Sequence, residues 1–494
     1  VGVTYNFKKG TDLSSWHWLN QYMTGASQPG CANAYDGSRY IYWAIQSGSA
    51  TAASTTQLWR HDTWSNGWQF LVALTNAFTG IDIEYDSVRN VLFVAEGNNT
   101  TVWRYFNLNT TAITLLGLTT NPFALSSAIG TALPAAATTG ASIAMTDDVS
   151  VQYPTPLTAS GATTSTLTSA TTTAMGDTGP VEFHSGMIGS YLRMTSGAQS
   201  GQKRVITAVT DANNLTVVAF GTAPVAGDSY VIELPGGDGP TSAALLTASS
   251  ATASTLVLTG ASWPTNAYRD HDVVIYGGTG AGQRRRIASN DGTTLTLAAA
   301  VTGNNRTGNW TTTPDATSTF RIVPSSDFLY LFVGSTSMYR VDVLATTIAF
   351  TTFATVPAAP GAGSNAFHTP VWSPQSLVVF RGGATTTVYR YHIGLQTWTT
   401  LTSAWGAETL TTGGTAARIP GRGRFLVHIG GSTRLYMYNP ITGELQPMTP
   451  PPYAVPTALE GKRLRHVKTA DGVEFIYMLR AGGQEYFRLP VEFL

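Results

Sequence analysis

Residue types able to do chemistry are present in this chain, but their spacing does not assemble a reaction centre. The stretch Gly278-Thr279-Gly280-Ala281-Gly282 invites comparison with a phosphate loop. It lacks the Gly-Lys-Ser/Thr ending and a following helix, so a β-turn accounts for it. Two basic runs, Lys203-Arg204 and Arg284-Arg285-Arg286, could meet phosphate, an acidic glycan or partner carboxylates. Neighbouring strand residues point to opposite faces, so only part of each run can act together. The reading adopted for Lys203, Arg204, Arg284, Arg285 and Arg286 is polar anchoring to another protein surface. The eight histidines, among them His61, His184, His271, His368, His392, His428 and His466, show no metal-ligand spacing. Asp82, Glu84, Asp147 and Asp148 are carboxylates that a glycosidase pair would need, yet spacing alone cannot set two of them across a sugar. No catalytic residue, cofactor site or metal site is expected. Among the aromatic residues, Trp263 and Trp310 stand outside the repeat described below and are the candidates for stacking on a carbohydrate.

Composition narrows the partners. Of 494 residues only 11% are charged, and 28 basic residues balance 28 acidic ones. That balance argues against wrapping nucleic acid by charge. Hydrophobic residues still make up 43%, enough for a packed core and unlike a disordered chain. One cysteine, Cys31, excludes an intrachain disulfide framework and a cysteine-based zinc cluster. No apolar run reaches the roughly 18 residues of a membrane helix, and Val1–Gly10 lacks the apolar core of a signal peptide.

The elements that must position these residues read as strands. Short runs rich in Val, Ile, Thr, Tyr and Phe, such as Phe328–Val333, Leu377–Phe380 and Phe425–Ile429, alternate with turn-forming clusters. No convincing 3.6-residue period appears, so the chain is expected to be all-β. An internal repeat adds the architecture. Trp59-Arg60-His61-Asp62 leads to Trp68, Trp103-Arg104-Tyr105-Phe106 to Ile113, and Tyr339-Arg340-Val341-Asp342 to Ile348. Tyr389-Arg390-Tyr391-His392 leads to Trp398, and Tyr436-Met437-Tyr438-Asn439 to Leu445. Nine residues separate the pair in four copies and ten in one, as a hairpin requires. Several copies follow a strand ending in glycine, such as Phe380-Arg381-Gly382-Gly383. His61 and His392 share a repeat position, which favours a structural role for both.

This unit resembles the kelch repeat, a four-stranded propeller blade, most closely over Val388–Leu401. The resemblance implies blade starts near Gly30, Gly80, Gly140, Ala366, Thr415 and Glu460. The interval from Gly140 to Ala366 is 226 residues, and removing 151–325 shortens it to 51. The expected fold is therefore a six-bladed kelch-like β-propeller with an insertion in blade three. Val3–Phe7 and Trp16–Leu19 are expected to complete the last blade and so remove free sheet edges. Kelch-like propellers include a copper radical oxidase with a tyrosine–cysteine cross-link; Cys31 lies near Tyr35, but nothing else matches it. The Ser-x-Asp-x-Gly-x-x-Trp box of sialidase-like propellers is missing.

The insertion repeats internally. Leu157-Thr158-Ala159-Ser160 matches Leu246-Thr247-Ala248-Ser249, and Gly197–Ile206 matches Gly278–Ile287 through a Gly-x-x-x-Gly-Gln-x-Arg core. Two tandem β-barrel or sandwich modules follow from this. The domain expectation is 1–150 for the first part of the propeller, 151–240 and 241–325 for the modules, and 326–494 for the remaining blades.

The Gly-x-x-x-Gly-Gln-x-Arg modules resemble small β-domains of tailed-bacteriophage structural proteins. A propeller carrying them is similar to the nozzle proteins that end short phage tails. The resemblance implies a non-enzymatic virion protein of the tail, acting in host attachment and genome ejection. The implied partners are copies of itself in a ring, expected as a hexamer, adaptor or fibre proteins, and transiently the exiting DNA. The alternative is a glycan-binding lectin or glycan-active enzyme at a cell or virion surface.

Overall fold

The computed structural model describes residues 17–19, 31–46, 56–65, 67–74, 82–86, 90–95, 103–108, 135, 141–146, 165–179, 183, 185–188, 191–233, 245–261, 263–302, 304–325, 327–344, 350–369, 375–401, 408–410, 414–419, 424–451, 464–468, 473–479 and 486–490. Among them there is no α-helix, only one 3-10 turn at Ser185–Met187, and no helix long and apolar enough to cross a membrane.

The strands are β1 (His17–Leu19), β2 (Ala32–Tyr35), β3 (Tyr40–Gln46), β4 (Thr56–Asp62), β5 (Gly67–Leu74), β6 (Asp82–Asp86), β7 (Val91–Ala95), β8 (Trp103–Asn107) and β9 (Ala141–Met145). Next come β10 (Ser165–Thr166), β11 (Ser169–Ala170), β12 (Ala174–Gly176), β13 (Tyr191–Met194), β14 (Lys203–Asp211), β15 (Asn214–Val217) and β16 (Ser229–Glu233). A second set of seven is β17 (Leu246–Thr247), β18 (Ser250–Thr252), β19 (Thr255–Val257), β20 (His271–Gly277), β21 (Arg284–Asn290), β22 (Thr294–Leu297) and β23 (Thr319–Pro324). Then follow β24 (Phe328–Val333), β25 (Ser337–Asp342), β26 (Thr351–Thr355), β27 (Asn365–Thr369), β28 (Ser376–Phe380), β29 (Val388–His392) and β30 (Thr397–Leu401). The last are β31 (Thr415–Ile419), β32 (Arg424–His428), β33 (Leu435–Tyr438), β34 (Leu445–Pro447), β35 (Leu464–Lys468), β36 (Glu474–Leu479) and β37 (Tyr486–Pro490).

They form a β-propeller-like arrangement with five four-stranded blades: β2–β5, β9 with β24–β26, β27–β30, β31–β34, and β35–β37 with β1. A three-stranded sheet, β6–β8, stands between the first two of these. Every pairing within these sheets is antiparallel. The hairpin spacing of the repeat becomes strand register: Tyr391 faces Trp398, His61 faces Trp68, and Tyr438 faces Leu445. Ile113 and Ile348 lie outside the described residues.

Successive sheets pack face to face, which is why their inner strands are buried on both sides. β27, β28 and β29 are buried throughout, while Thr397 and Thr400 of β30 are exposed. Leu58, Ile83 and Leu92 pack between β2–β5 and β6–β8, and Phe93, Ile143 and Leu331 between β6–β8 and the β9 sheet. Tyr330, Leu377 and Tyr391 make the next layer, then Phe367, Phe380 and Phe425, then Leu426, Ile476 and Phe487. Trp43, Ile45, Tyr477 and Leu19 bring the last sheet onto the first. Each such apolar side chain contributes about 1.5–3 kcal/mol by leaving water. Polar side chains stitch the innermost strands: Ile143 N donates to Asp82 Oδ2 (2.6 Å), Ala366 N to Ser142 Oγ (2.9 Å), and Asn33 Nδ2 to Leu464 O (3.3 Å). At the other end of the sequence β1 pairs with β37, Trp18 opposite Phe487, which covers an edge that would otherwise be open. Val3–Phe7 lies outside the described residues.

Between β9 and β24, which pair with each other, the chain builds two seven-stranded sheets of the same order, β10-β16-β13-β14-β15-β12-β11 and β17-β23-β20-β21-β22-β19-β18. Their strands correspond one to one; Val273, Ile287 and Phe320 centre a core within the second sheet, whereas Leu192, Ile206 and Tyr230 of the first belong to one apolar cluster with Phe367 and Phe380 of the propeller. The glycine opening the shared motif is required by shape. Gly278 has φ +74°, and a Cβ there would lie 2.1 Å from Thr317 O.

Candidate functional site

The basic residues singled out by sequence end up holding the molecule together. Arg204 and Arg285 occupy matching positions in β14 and β21 and grip their own sheets. Arg204 donates to Ala219 O (3.0 Å) and Gln202 Oε1 (2.8 Å) and lies over the Phe220 ring. Arg285 donates to Asn309 O (2.9 Å) and Thr311 Oγ1 (2.8 Å). Lys203 opens β14, half-buried opposite Arg193 of β13.

Arg284 and Arg286, read from sequence as anchors for another chain, share the other face of β21 and form ion pairs within this one. Arg284 pairs with Asp272 at 2.6 Å. Arg286, 6% exposed, pairs with Asp327 at 2.6 Å and Asp342 at 2.5 Å, its guanidinium lying over Phe328. Arg306 completes the cluster, 2.7 Å from Asp327 and 3.4 Å from Asp272. Asp327 and Asp342 flank strands of the β9 sheet, so this network fastens the second seven-stranded sheet to the propeller. Burial, together with repulsion from Asp327, pushes the Asp272 carboxyl up to about 6 despite the arginines around it. The three nearby arginines that pull it down do not cancel that loss of hydration.

Two of the four repeat arginines do the same work. Arg340 of β25 pairs with Asp270 at 2.5 Å. Arg390, fully buried in β29, donates to Ile188 O beside the 3-10 turn of the first seven-stranded sheet. Burial lowers its guanidinium pKa to about 9. Gly394 in the β29–β30 turn allows the closest approach: a Cβ would sit 2.2 Å from Ala267 O. Sequence reading missed Arg306, Asp270, Asp272 and Asp327 because their partners are distant in the chain. Asp342 and the repeat arginines did carry a signal, since they recur at fixed places in the aromatic repeat.

The carbohydrate candidates also move inward. Trp310 is buried in the second seven-stranded sheet, and its Nε1 donates to Thr255 O (3.1 Å), leaving no face for a sugar. Trp263 is half-buried, packed edge-on against Tyr268. The most exposed aromatic among the described residues is instead Trp64, 60% accessible in the β4–β5 turn, with Arg39 over its ring. Arg39 also forms a two-point pair with Asp62, whose carboxyl that contact helps hold well below the usual range, against the opposing effect of burial.

Other groups are structural. Asp82 bonds β9, as described, while Asp147, Asp148 and His184 lie outside the described residues. Burial lowers the pKa of His271 and His428 to about 4 and that of His392 well below the ordinary value. His61 packs between Trp68 and Tyr486. His368 meets Gln375 Oε1 at 3.0 Å, and His466 meets Glu474 at 3.1 Å. Cys31 immediately precedes β2, and Tyr35 ends it. Among the described residues no three His, Cys, Asp or Glu side chains gather as a metal site.

One cleft of about 360 Å³ opens between the second seven-stranded sheet and the propeller. Arg269, Asp270, Arg286, Arg340, Asp342 and Gln396 line it.

The chain matches no protein-family model and no curated protein sequence. Among solved structures it is similar to a chain of the mitotic checkpoint complex, at 9% identity over 99% of this chain and 96% of that one, with TM-score 0.37. It is also similar to Sqt1 of Saccharomyces cerevisiae, at 8% identity over 96% of this chain and 99% of that one, TM-score 0.30. A computationally designed protein matches at 9% identity over 96% and 98% of the two chains, TM-score 0.29.

Proposed function

We propose that this chain is a structural protein of a phage virion, a tail nozzle or tail-tip component that works through contact surfaces and not through catalysis. In this reading the three-stranded β6–β8 sheet is the sixth blade of a closed propeller, and the seven-stranded sheets are inserted modules that meet neighbouring subunits, adaptor or fibre proteins. Copies assemble as a ring, proposed as a hexamer, around the path of the exiting DNA.

The observation that carries this reading is where apolar surface remains. Of seven large hydrophobic side chains exposed among the described residues, five belong to the two seven-stranded units: Val218, Val225, Leu245, Tyr276 and Val301. In this reading these exposed apolar side chains are the contact surfaces of the two units. With only 11% of the chain charged, covering such surfaces strands few unpaired ions. Substituting Val225→Asp with Tyr276→Asp is expected to abolish self-association in sedimentation while leaving the circular dichroism spectrum intact. Self-association equal to that of the unaltered chain would remove these surfaces from the proposal.

A glycan-binding role is the second reading, favoured by Trp64 with Arg39 and Asp62 beside it. Selective sugar binding on a glycan array, lost on Trp64→Ala, would support it over the first.

A further inference from the structure

The cleft between the second seven-stranded sheet and the propeller is lined by three arginines, Arg269, Arg286 and Arg340, against two aspartates, Asp270 and Asp342, with the rest of the ion-pair network behind it. Four arginines, Arg284, Arg286, Arg306 and Arg340, are matched by four aspartates, Asp270, Asp272, Asp327 and Asp342, in the ion pairs described above. Arg269 is the fifth arginine. It lines the cleft half-exposed, and its side chain makes no ion pair or hydrogen bond among the described residues. From the opposite wall Gln396, in the β29–β30 turn, brings an exposed side-chain amide with both donor and acceptor capacity.

The backbone is strained at the same place. Five residues other than glycine have positive φ among those described, and two of them, Asp270 (62°) and Gln396 (56°), line this cleft. A third, Asn266 (60°), belongs to the turn that packs on Gly394. A left-handed conformation strains a glutamine, and such residues gather at binding sites because the strain fixes a side chain's aim.

We propose that this cleft binds a sugar acid, its carboxylate seated on Arg269 and its hydroxyls reaching Gln396. A planar guanidinium recognises a carboxylate through two parallel hydrogen bonds. The charge balance favours this ligand over phosphate: one surplus positive charge matches a monoanion, whereas a dianion would stand against Asp270 and Asp342. A volume of about 360 Å³ is the size of a small-ligand site and takes one sugar ring. The inference is independent of the assembly role proposed above, because Arg269 and Gln396 carry none of the contacts on which that role rests.

The test is calorimetric titration of the full chain with glucuronate, N-acetylneuraminate, glucose, inorganic phosphate and a glutamate-containing tetrapeptide. Saturable binding is expected for at least one sugar acid, with glucose silent and phosphate at least tenfold weaker. Arg269→Met is expected to weaken sugar-acid binding at least tenfold with an unchanged melting temperature, and Arg269→Lys to fall between. No saturable sugar-acid binding, equal binding by Arg269→Met, or preference for phosphate or the peptide would each overturn the proposal. If Arg269→Met fails to fold, Gln396→Ala reads the opposite wall, and undiminished sugar-acid binding by that variant would overturn it.

Discussion

Replacing Arg286 with alanine tests whether the second seven-stranded sheet is held by buried charge. The substitution leaves Asp327, 0% exposed, and Asp342, 22% exposed, without their shared guanidinium. Removing one partner from a buried pair costs about 3–5 kcal/mol. Asp327 keeps Arg306 at 2.7 Å, and Asp342 keeps the Leu344 amide at 3.0 Å, so the lower end applies, about 3 kcal/mol. The loss should fall on local opening, since 1.4 kcal/mol is a factor of ten in an equilibrium constant. Hydrogen exchange at the Arg286 amide, bonded to Arg306 O, and along β24 should therefore quicken on the order of a hundredfold. Arg286→Met should behave similarly, because it restores volume but not charge. Adding Asp342→Asn to it should recover part of the protection. Exchange within threefold of the unaltered chain in Arg286→Ala would refute the argument that this network fastens the sheet.

Three further outcomes follow from the packing. Acidification from pH 6.5 to 4 should destabilise the fold: His271 and His428 are held neutral down to about 4, and each loses about 3 kcal/mol of stability as pH falls through that window. His392 acts in the same direction, whereas Asp272, raised to about 6, contributes stability that is lost as pH rises, about 3 kcal/mol opposed. The histidines outnumber it, so urea midpoints that rise on acidification would contradict this balance. Deleting residues 1–20 removes β1 and uncovers β37; the whole propeller should melt at lower temperature, and an unchanged cooperative melt would count against closure by that strand. Gly394→Ala should cost about 1–3 kcal/mol by forcing a Cβ toward Ala267 O, read as faster proteolysis between the second seven-stranded sheet and the β29–β30 turn. Equal proteolysis rates would show that the contact yields freely.

What the sequence disclosed was local in the chain. The aromatic repeat sets Tyr389 and Trp398 nine residues apart, and the hairpin this spacing requires is there, with Tyr389 opposite Thr400 and Tyr391 opposite Trp398. Strand alternation also separated Arg285 from Arg284 and Arg286 onto opposite faces. It could not say which face meets solvent, because Asp327 and Asp342 are 41 and 56 residues from Arg286. The burial of Trp310 was out of reach for the same reason: its hydrogen-bond acceptor, Thr255 O, is 55 residues away. The stitching of Asp82 to Ile143 and Ser142 to Ala366 likewise spans 61 and 224 residues, a distance over which no spacing rule operates. Trp64 attracted no notice because one exposed tryptophan in a turn looks like any other in sequence. Its setting becomes visible only when Arg39 folds over it.

The central claim, that the chain works by assembling through its surfaces, is tested most directly by native mass spectrometry of the full chain across a concentration series. A closed oligomer should grow in at the expense of monomer, with six copies as the expected ring, and the Val225→Asp, Tyr276→Asp double variant should remain monomeric. A chain that stays monomeric at every concentration, alone and with the tail components proposed as its neighbours, would contradict the account.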